Sequence, residues 1–545
     1  MKKIYFAAIT LTLIAVSCNK LDDNIGLDTK PGQVTGQSIL KSATISVTSL
    51  KVGIYSGTGA ESGTILALFR AVASMGYTPM ALTGADITAG RLTRTNFDVL
   101  IIPPGEDGKT AGTGHYSDGA VLNQTSIKNG IRTFVTGGGG LVAEEAGSYF
   151  SSQNNGTLSI YTGSYTNVTN QIGKKSFTIT DSRFGTGIQE AWHSYGGGYF
   201  SSTPSSATVV ATNASNQAVI VRQGYGSGRL ILTSFTLELR GDSETDWTIW
   251  DNWAMGGVHK NSVGVWTMLG RMINWAYNGN PSAPSINSTA NSAGSRVAVI
   301  AQHTTNGGAW PGLLPAVGRG IENCGHLPLA IRFQEVKDGR LTTANFKVVT
   351  FPGGDAYGYK MGITGYESGI RNFISAGGSY YGICAGAFYA ASTVVWSGKS
   401  TTYPLAIFSG KETGPITDII AWPGYKLTPV TFSGDAVIGT FGTINVMYYG
   451  GGYHTIPTDA VQGSHVYTAG TFSTSSAIGK ADLVRYTYGK GRVALTTTHL
   501  ETLAGANNDW LFWDNYDYKT GSAVTNTTHC WDVMGAIFNN WLTLP

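Results

Sequence analysis

Charge is scarce in this chain. Only 13% of its 545 residues are Asp, Glu, Lys or Arg, and 36 basic residues nearly cancel 33 acidic ones, leaving a net charge of +3. The basic residues are scattered, so no stripe follows a phosphate backbone and nucleic acid is not expected as a partner. Cysteine is scarcer: Cys18, Cys324, Cys384 and Cys530 are the whole set. So few thiols over this length exclude a disulfide-built scaffold. No cluster of His, Cys, Asp and Glu has metal-ligand spacing, and neither a metal nor another cofactor is expected. Gly57 to Gly63 is glycine-rich but lacks the Lys-Ser/Thr pair of a phosphate loop. Long apolar runs are missing too. The N-terminal run from Ile4 to Val16 falls short of the ~20 residues of a membrane span. What is abundant is glycine, with 74 residues among many Ser, Thr, Tyr and Trp. That mixture fits a compact extracytoplasmic protein with many tight turns.

The N-terminus reads as a signal peptide over residues 1–18, with Lys2 and Lys3 before the apolar run and small residues before Cys18. Ala15-Val16-Ser17-Cys18 resembles a bacterial lipobox, which implies lipidation of Cys18 and a lipid anchor to a membrane. Residues 19–46 are polar and aperiodic, as a flexible tether would be. Cys18-Asn19-Lys20-Leu21-Asp22-Asp23 also resembles the Lys-then-acidic signal of some surface lipoproteins of Gram-negative bacteria. The expected location is therefore the outer membrane or cell surface. In that oxidising compartment Cys324 and Cys530 either form a disulfide or stay as two buried thiols, and the sequence leaves both open.

Self-comparison shows a duplication. Gly90-Arg91-Leu92-Thr93 with Asn96-Phe97 matches Gly339-Arg340-Leu341-Thr342 with Asn345-Phe346. Gly130-Ile131-Arg132 with Phe134 matches Gly369-Ile370-Arg371 with Phe373. Tyr195-Gly196-Gly197-Gly198-Tyr199 matches Tyr449-Gly450-Gly451-Gly452-Tyr453, and Tyr225-Gly226 with Gly228-Arg229 matches Tyr488-Gly489 with Gly491-Arg492. Asp246-Trp247 with Trp250-Asp251-Asn252 matches Asp509-Trp510 with Trp513-Asp514-Asn515. Pro-Gly turns at Pro104-Gly105 and Pro352-Gly353 complete the set. Matches in one order make two homologous domains, 47–280 and 295–545, joined by a Pro/Ser/Asn-rich linker at 281–294. Each opens with an apolar strand, then a stretch of helical period, then another strand. That alternation predicts an α/β fold with a mainly parallel sheet flanked by helices and a Thr/Tyr/Val-rich extension of added strands. Ligands of such sheets sit at the C-terminal ends of the strands.

In the second copy, Ser379-Tyr380-Tyr381-Gly382-Ile383-Cys384-Ala385-Gly386-Ala387-Phe388 reads as strand, Gly-x-Cys-x-Gly turn, then helix. The small neighbours let the turn lift Cys384 clear of the sheet as a nucleophile elbow. Ala385 would supply one oxyanion donor and the Gly353-Gly354 turn another. A thiolate needs a base. Thr497-Thr498-His499-Leu500-Glu501 lies at the end of the strand Arg492 to Thr496, so His499 could pair with Cys384 while Glu501 holds the other ring nitrogen. The segment Gly451, Gly452 and His454 is expected to border the pocket.

This order of an elbow cysteine and a strand ending in His-x-Glu resembles the class I glutamine amidotransferase fold, a flavodoxin-like architecture. Within it, Gly382 to Phe388, Pro352-Gly353-Gly354 and Gly450-Gly451-Gly452 are most similar to the biotin-protein ligase N-terminal-domain family. The resemblance covers most of the second domain and, more weakly, the first. That family usually has Pro where Leu500 stands. It implies a Cys-His-Glu triad acting on a carboxamide through a thioester, but this chain has no synthetase domain to receive ammonia. In the first copy the register places Glu145, Thr236 and Glu238 opposite Cys384, His499 and Glu501, so nucleophile and base are both gone there. Two functions arise as expectations. One is a thiol amidohydrolase acting on a small-molecule, peptide or glycan amide. The other is a non-catalytic cell-envelope protein binding a small ligand or glycan.

Overall fold

The structure, a computed structural model, describes residues 50–105, 121–153, 157–168, 173–193, 197–239, 262–286, 294–304, 306–457, 464–502, 516–517, 522–523 and 530–544. The signal segment, Cys18, the tether and both Asp-Trp…Trp-Asp-Asn segments lie outside these residues. No helix among the described residues is long and apolar enough to cross a membrane.

In the first copy, aliphatic runs form β1 (Lys51–Tyr55), β2 (Thr78–Leu82), β3 (Val99–Ile102) and β4 (Gly140–Glu144). Nearly every residue on them is buried, as strands covered on both faces require. β5 (Ala218–Tyr225) returns as β6 (Gly228–Thr233) through a two-residue hairpin loop. Gly226 takes φ 60° in that loop and Gly489 takes φ 58° in its counterpart. The repeated Tyr-Gly-x-Gly-Arg motif is thus a hairpin whose backbone calls for glycine. The sheet order is β2-β1-β3-β4-β6-β5, parallel as far as β6 and antiparallel beyond.

The second copy repeats this nucleus with β7 (Arg296–Ile300), β8 (Leu327–Ile331), β9 (Val348–Phe351) and β10 (Ser379–Ile383). Its extension includes β11 (Ala391–Trp396), β12 (Lys399–Thr402), β13 (Phe408–Gly414), β14 (Gly442–Tyr448), β15 (Tyr453–Thr455), β16 (Ala481–Tyr488) and β17 (Gly491–Thr496). The main path is β8-β7-β9-β10-β17-β16-β15-β13-β11-β12. The fold is therefore α/β, with a parallel nucleus in each sheet and a largely antiparallel extension.

Seven helices shape the site and the contact between the copies: α1 (Ser62–Ser74), α2 (Thr125–Thr136), α3 (Ala146–Ser151), α4 (Leu314–Asn323), α5 (Ala356–Ile363), α6 (Glu367–Ser375) and α7 (Ala385–Ala390). The repeated Gly-Ile-Arg-x-Phe motif buries Ile131 and Phe134 on α2, and Ile370 and Phe373 on α6. Those pairs are three residues apart, on one helical face. The two copies meet through α1, which packs on α4 and β8. The contact is reciprocal. Arg70 of α1 donates to the Pro328 carbonyl of β8, and Arg319 of α4 donates to the Pro79 carbonyl of β2. The Arg319 guanidinium also lies over the Phe69 ring at 5.2 Å.

Candidate active site

Cys384 stands between β10 and α7 with φ 49° and ψ −105°. A non-glycine residue in that region carries strain of ~1–3 kcal/mol and is held there only by its surroundings. Those surroundings are on hand. The Cys384 N–H donates to the Thr496 carbonyl at 2.8 Å, and its own carbonyl accepts from the N–H groups of Ala387 and Phe388, both at 3.0 Å. Gly386 lets α7 settle on β9, because a Cβ there would lie 2.0 Å from the Phe351 carbonyl oxygen. The Cys384 thiol is almost wholly buried and donates to the Tyr449 carbonyl at 3.6 Å.

His499 follows β17 and is fully buried with Glu501. Its N–H donates to the Met447 carbonyl of β14 at 3.0 Å, and its Nδ1 lies 2.7 Å from Glu501 Oε1. The Trp531 indole N–H holds the Glu501 carbonyl at 2.8 Å. Upstream, buried Asp482 accepts from Thr497 Oγ1 at 2.7 Å, from Thr498 N–H at 3.0 Å and from Thr498 Oγ1 at 3.0 Å. That carboxylate fixes the strand end from which His499 projects. Burial opposes charge on the imidazole, but the Glu501 carboxylate and then Cys384 outweigh it, raising its pKa to about 10. The ring Nε2 makes no conventional hydrogen bond, yet the Cys384 sulfur lies close enough to favour its charge.

Cys384 opens on a cleft of about 510 Å³. Ala385 and Gly354 border the cleft, and Phe388, Trp396, Trp422 and Tyr449 wall it. The expected oxyanion and pocket residues are only partly so placed. Gly353 lies against the imidazole instead of the cleft, since a Cβ on it would come within 2.5 Å of His499 Cε1. Gly451 and Gly452 are not cleft residues either. Each packs on backbone, with a Cβ meeting the Thr497 carbonyl oxygen at 2.0 Å and the Thr413 carbonyl oxygen at 2.3 Å respectively. Tyr449 and Gly450, just before them, line the cleft. His454 is corrected outright. It lies on the buried side of β15, ion-paired through Nδ1 with Glu412, and its Nε2 is 3.2 Å from the Leu495 carbonyl. Burial works against its charge but Glu412 prevails, so its pKa is raised. Sequence reasoning missed Asp482, Trp396 and Trp422. Two strand-end threonines before a candidate His were a usable signal for a carboxylate partner; the tryptophans gave none.

Cys324 and Cys530 are separate buried thiols with no disulfide between them. Burial pushes the Cys324 thiol well up.

The first copy keeps the scaffold of this site. Glu145 takes φ 41° and ψ −106° between β4 and α3, and its N–H donates to the Thr233 carbonyl at 2.9 Å. Thr236 donates its N–H to the Trp192 carbonyl, as His499 does to that of Met447, and its hydroxyl donates to Glu145 Oε1 at 2.8 Å. Glu238 and Glu144 are buried beside them, with Glu61 at the start of α1. Burial raises Glu61 and Glu238 from 4.5 to about 7, and Glu144 well up. The fold favours their protonated forms. Their contribution to stability is therefore complete below about pH 4.5 and fades as pH rises through about 7. The melting temperature is expected to fall by at least ~3 °C between pH 5 and pH 8. Glu238→Gln should remove part of that fall, which separates it from His499, whose own contribution fades between 6.5 and about 10. A Glu238→Gln curve parallel to that of the unaltered protein would rule the cluster out as the cause.

Residues 342–511 match the model of the family described as "Biotin-protein ligase, N terminal". No curated protein matches the chain. Among solved structures, a glutamine amidotransferase from Thermotoga maritima is 14% identical, with 35% of this chain and 76% of that one covered and a TM-score of 0.25. A putative ThuA-like protein from Bacteroides uniformis is 12% identical over 43% and 94% of the chains, with a TM-score of 0.29. Another putative ThuA-like protein, from Parabacteroides merdae, is 12% identical over 44% and 98%, with a TM-score of 0.28.

Proposed function

We propose that the second domain, whose residues 342–511 match the biotin-protein ligase N-terminal family model, is a thiol-dependent amidohydrolase. The observation that carries this reading is the strained Cys384 turn beside a buried His499 whose Nδ1 is held by Glu501. Cys384 passes its thiol proton to His499, and its sulfur attacks the carbonyl carbon of a carboxamide. Ala385 and Gly354 receive the oxyanion. His499 gives its proton to the departing nitrogen as the C–N bond breaks, leaving a thioester. Water, losing its proton to His499, then attacks the thioester and frees the carboxylic acid. Glu501 keeps the ring oriented throughout. The resemblance of Ala15 to Cys18 to a lipobox supports placing this chemistry outside the cytoplasm, on a protein lipid-anchored to the outer membrane or cell surface. The substrate is a small-molecule, peptide or glycan amide, and the first domain braces or caps the second.

A second reading is a non-catalytic binding protein of the cell envelope. The first copy favours it, because Glu145 shows the elbow kept without a nucleophile. Alkylation of the folded protein with iodoacetamide decides between them. At pH 7, Cys384 is expected to be modified at least ten-fold faster than Cys324 and Cys530, since burial holds Cys324 in its unreactive thiol form. Equal rates at the three sites would overturn the enzyme reading.

A further inference from the structure

The cleft walls say more about the ligand than the nucleophile does. Trp422 is 48% exposed. Its ring lies tilted on Tyr449 at 5.3 Å and meets Trp396 nearly edge-on at 5.8 Å, with an interplanar angle of 83°. Phe388 backs Trp396 at 5.6 Å. The two indoles thus form a corner of two flat faces, one of them open to solvent. Tyr449, which supports the corner, is also the residue whose carbonyl accepts the Cys384 thiol. Around the corner stand hydrogen-bonding groups: Lys399, Thr401 and Asp355 line the same cleft and are exposed.

Free glutamine fits this arrangement badly. Its two charges would face only exposed Lys399 and Asp355, where ion pairs gain little, and the indole faces would stay wet. A flat aromatic ligand would cover the indoles but leave the polar margin unused. A pyranose ring does both, since it lays its C–H face on an aromatic ring and turns its hydroxyls outward. A volume of about 510 Å³ is also of the size that holds a ligand larger than one amino acid.

We propose that the Trp396–Trp422 corner binds a saccharide, and that the amide cleaved is the N-acyl group of an amino sugar. This rests on the amidohydrolase reading for its chemistry, but not for its binding. In the reaction the Cys384 thiol proton passes to His499, the sulfur bonds the acyl carbon, and the bond from that carbon to the sugar nitrogen breaks. His499 gives that nitrogen its proton, so the sugar leaves as an amine. Water then releases the acyl group as a carboxylic acid and restores the thiol–imidazole pair. Amide and water yield acid and amine, with no other reactant.

The test separates binding from chemistry. Tryptophan fluorescence of the full chain carrying Cys384→Ala is titrated with N,N′-diacetylchitobiose and, separately, with free glutamine. Saturable binding of the disaccharide is expected, at least ten-fold tighter than that of glutamine. Adding Trp422→Ala should weaken it ten-fold or more; the residue is half-exposed, so the fold should tolerate the change. Tighter binding of glutamine, or disaccharide binding indifferent to Trp422→Ala, would overturn the saccharide site. Failure of the disaccharide to bind while Cys384 stays selectively alkylated would sink the saccharide inference alone. Saccharide binding with an unreactive Cys384 would retain the site and sink the chemistry.

Discussion

Replacing His499 by Ala is expected to slow alkylation of Cys384 at pH 7 by ten-fold or more and to abolish amide turnover. The expectation comes from position. His499 is fully buried, its ring is held by Glu501, and Cys384 is among the groups that favour its charge. Removing the ring removes the group placed to take the proton of the attacking sulfur. Glu501→Gln is the sharper probe, because it keeps the shape and takes away the charge 2.7 Å from Nδ1. Turnover should fall by two to four orders of magnitude, as roughly seen when the carboxylate of a triad is neutralised. One readout sets this apart from simple unfolding. The Glu501 carboxylate raises the His499 pKa, so the pH profile of turnover should move to lower pH in Glu501→Gln. An unmoved profile would show that Glu501 does not govern the ring.

Gly386→Ala should damage both the stability of the second domain and the placement of Cys384. A Cβ at this position would sit 2.0 Å from the Phe351 carbonyl oxygen and 2.7 Å from Phe351 Cβ. Neither is the end of a flexible side chain, so α7 must lift away from β9. Overpacking of this kind costs ~1–3 kcal/mol and occasionally more. Because α7 begins at Ala385, the shift would also carry the turn that holds Cys384. A lower melting temperature together with loss of selective Cys384 alkylation is expected. A protein of unchanged stability and reactivity would mean that the helix can move freely at this contact. Gly147 of the first copy, 2.4 Å from the Ile102 carbonyl by the same measure, offers the parallel substitution where no nucleophile is at stake.

The duplication and the strand-turn-helix grammar were legible because they are local. Gly-x-Cys-x-Gly encodes a sharp turn, and Tyr-Gly-x-Gly-Arg encodes a hairpin; each needs only its own few residues. The opposition of Glu145 to Cys384 and of Thr236 to His499 was readable from register, and the backbone repeats it in equivalent hydrogen bonds. The cleft was not readable. Trp396 ends β11 and Trp422 lies in a connection, 26 positions apart in sequence, and only the extension of the sheet brings their rings together. His454 misled for a related reason. A His beside a run of glycines looks like a loop residue, but β15 turns it inward onto Glu412, which the sequence places 42 positions away. Asp482 reaches the threonines before His499 across the β16–β17 pair, a partnership that only sheet order reveals.

The reciprocal arginine contacts between α1, α4, β2 and β8 have the form of an isologous interface, in which one surface meets its own copy about a two-fold axis. A linker joining two such halves turns association into an intramolecular event that no longer depends on concentration. The chain is in this sense a homodimer made permanent. One half can then vary at its elbow while still supplying the surface that the other half needs, and an elbow cysteine stands once for every pair of folds.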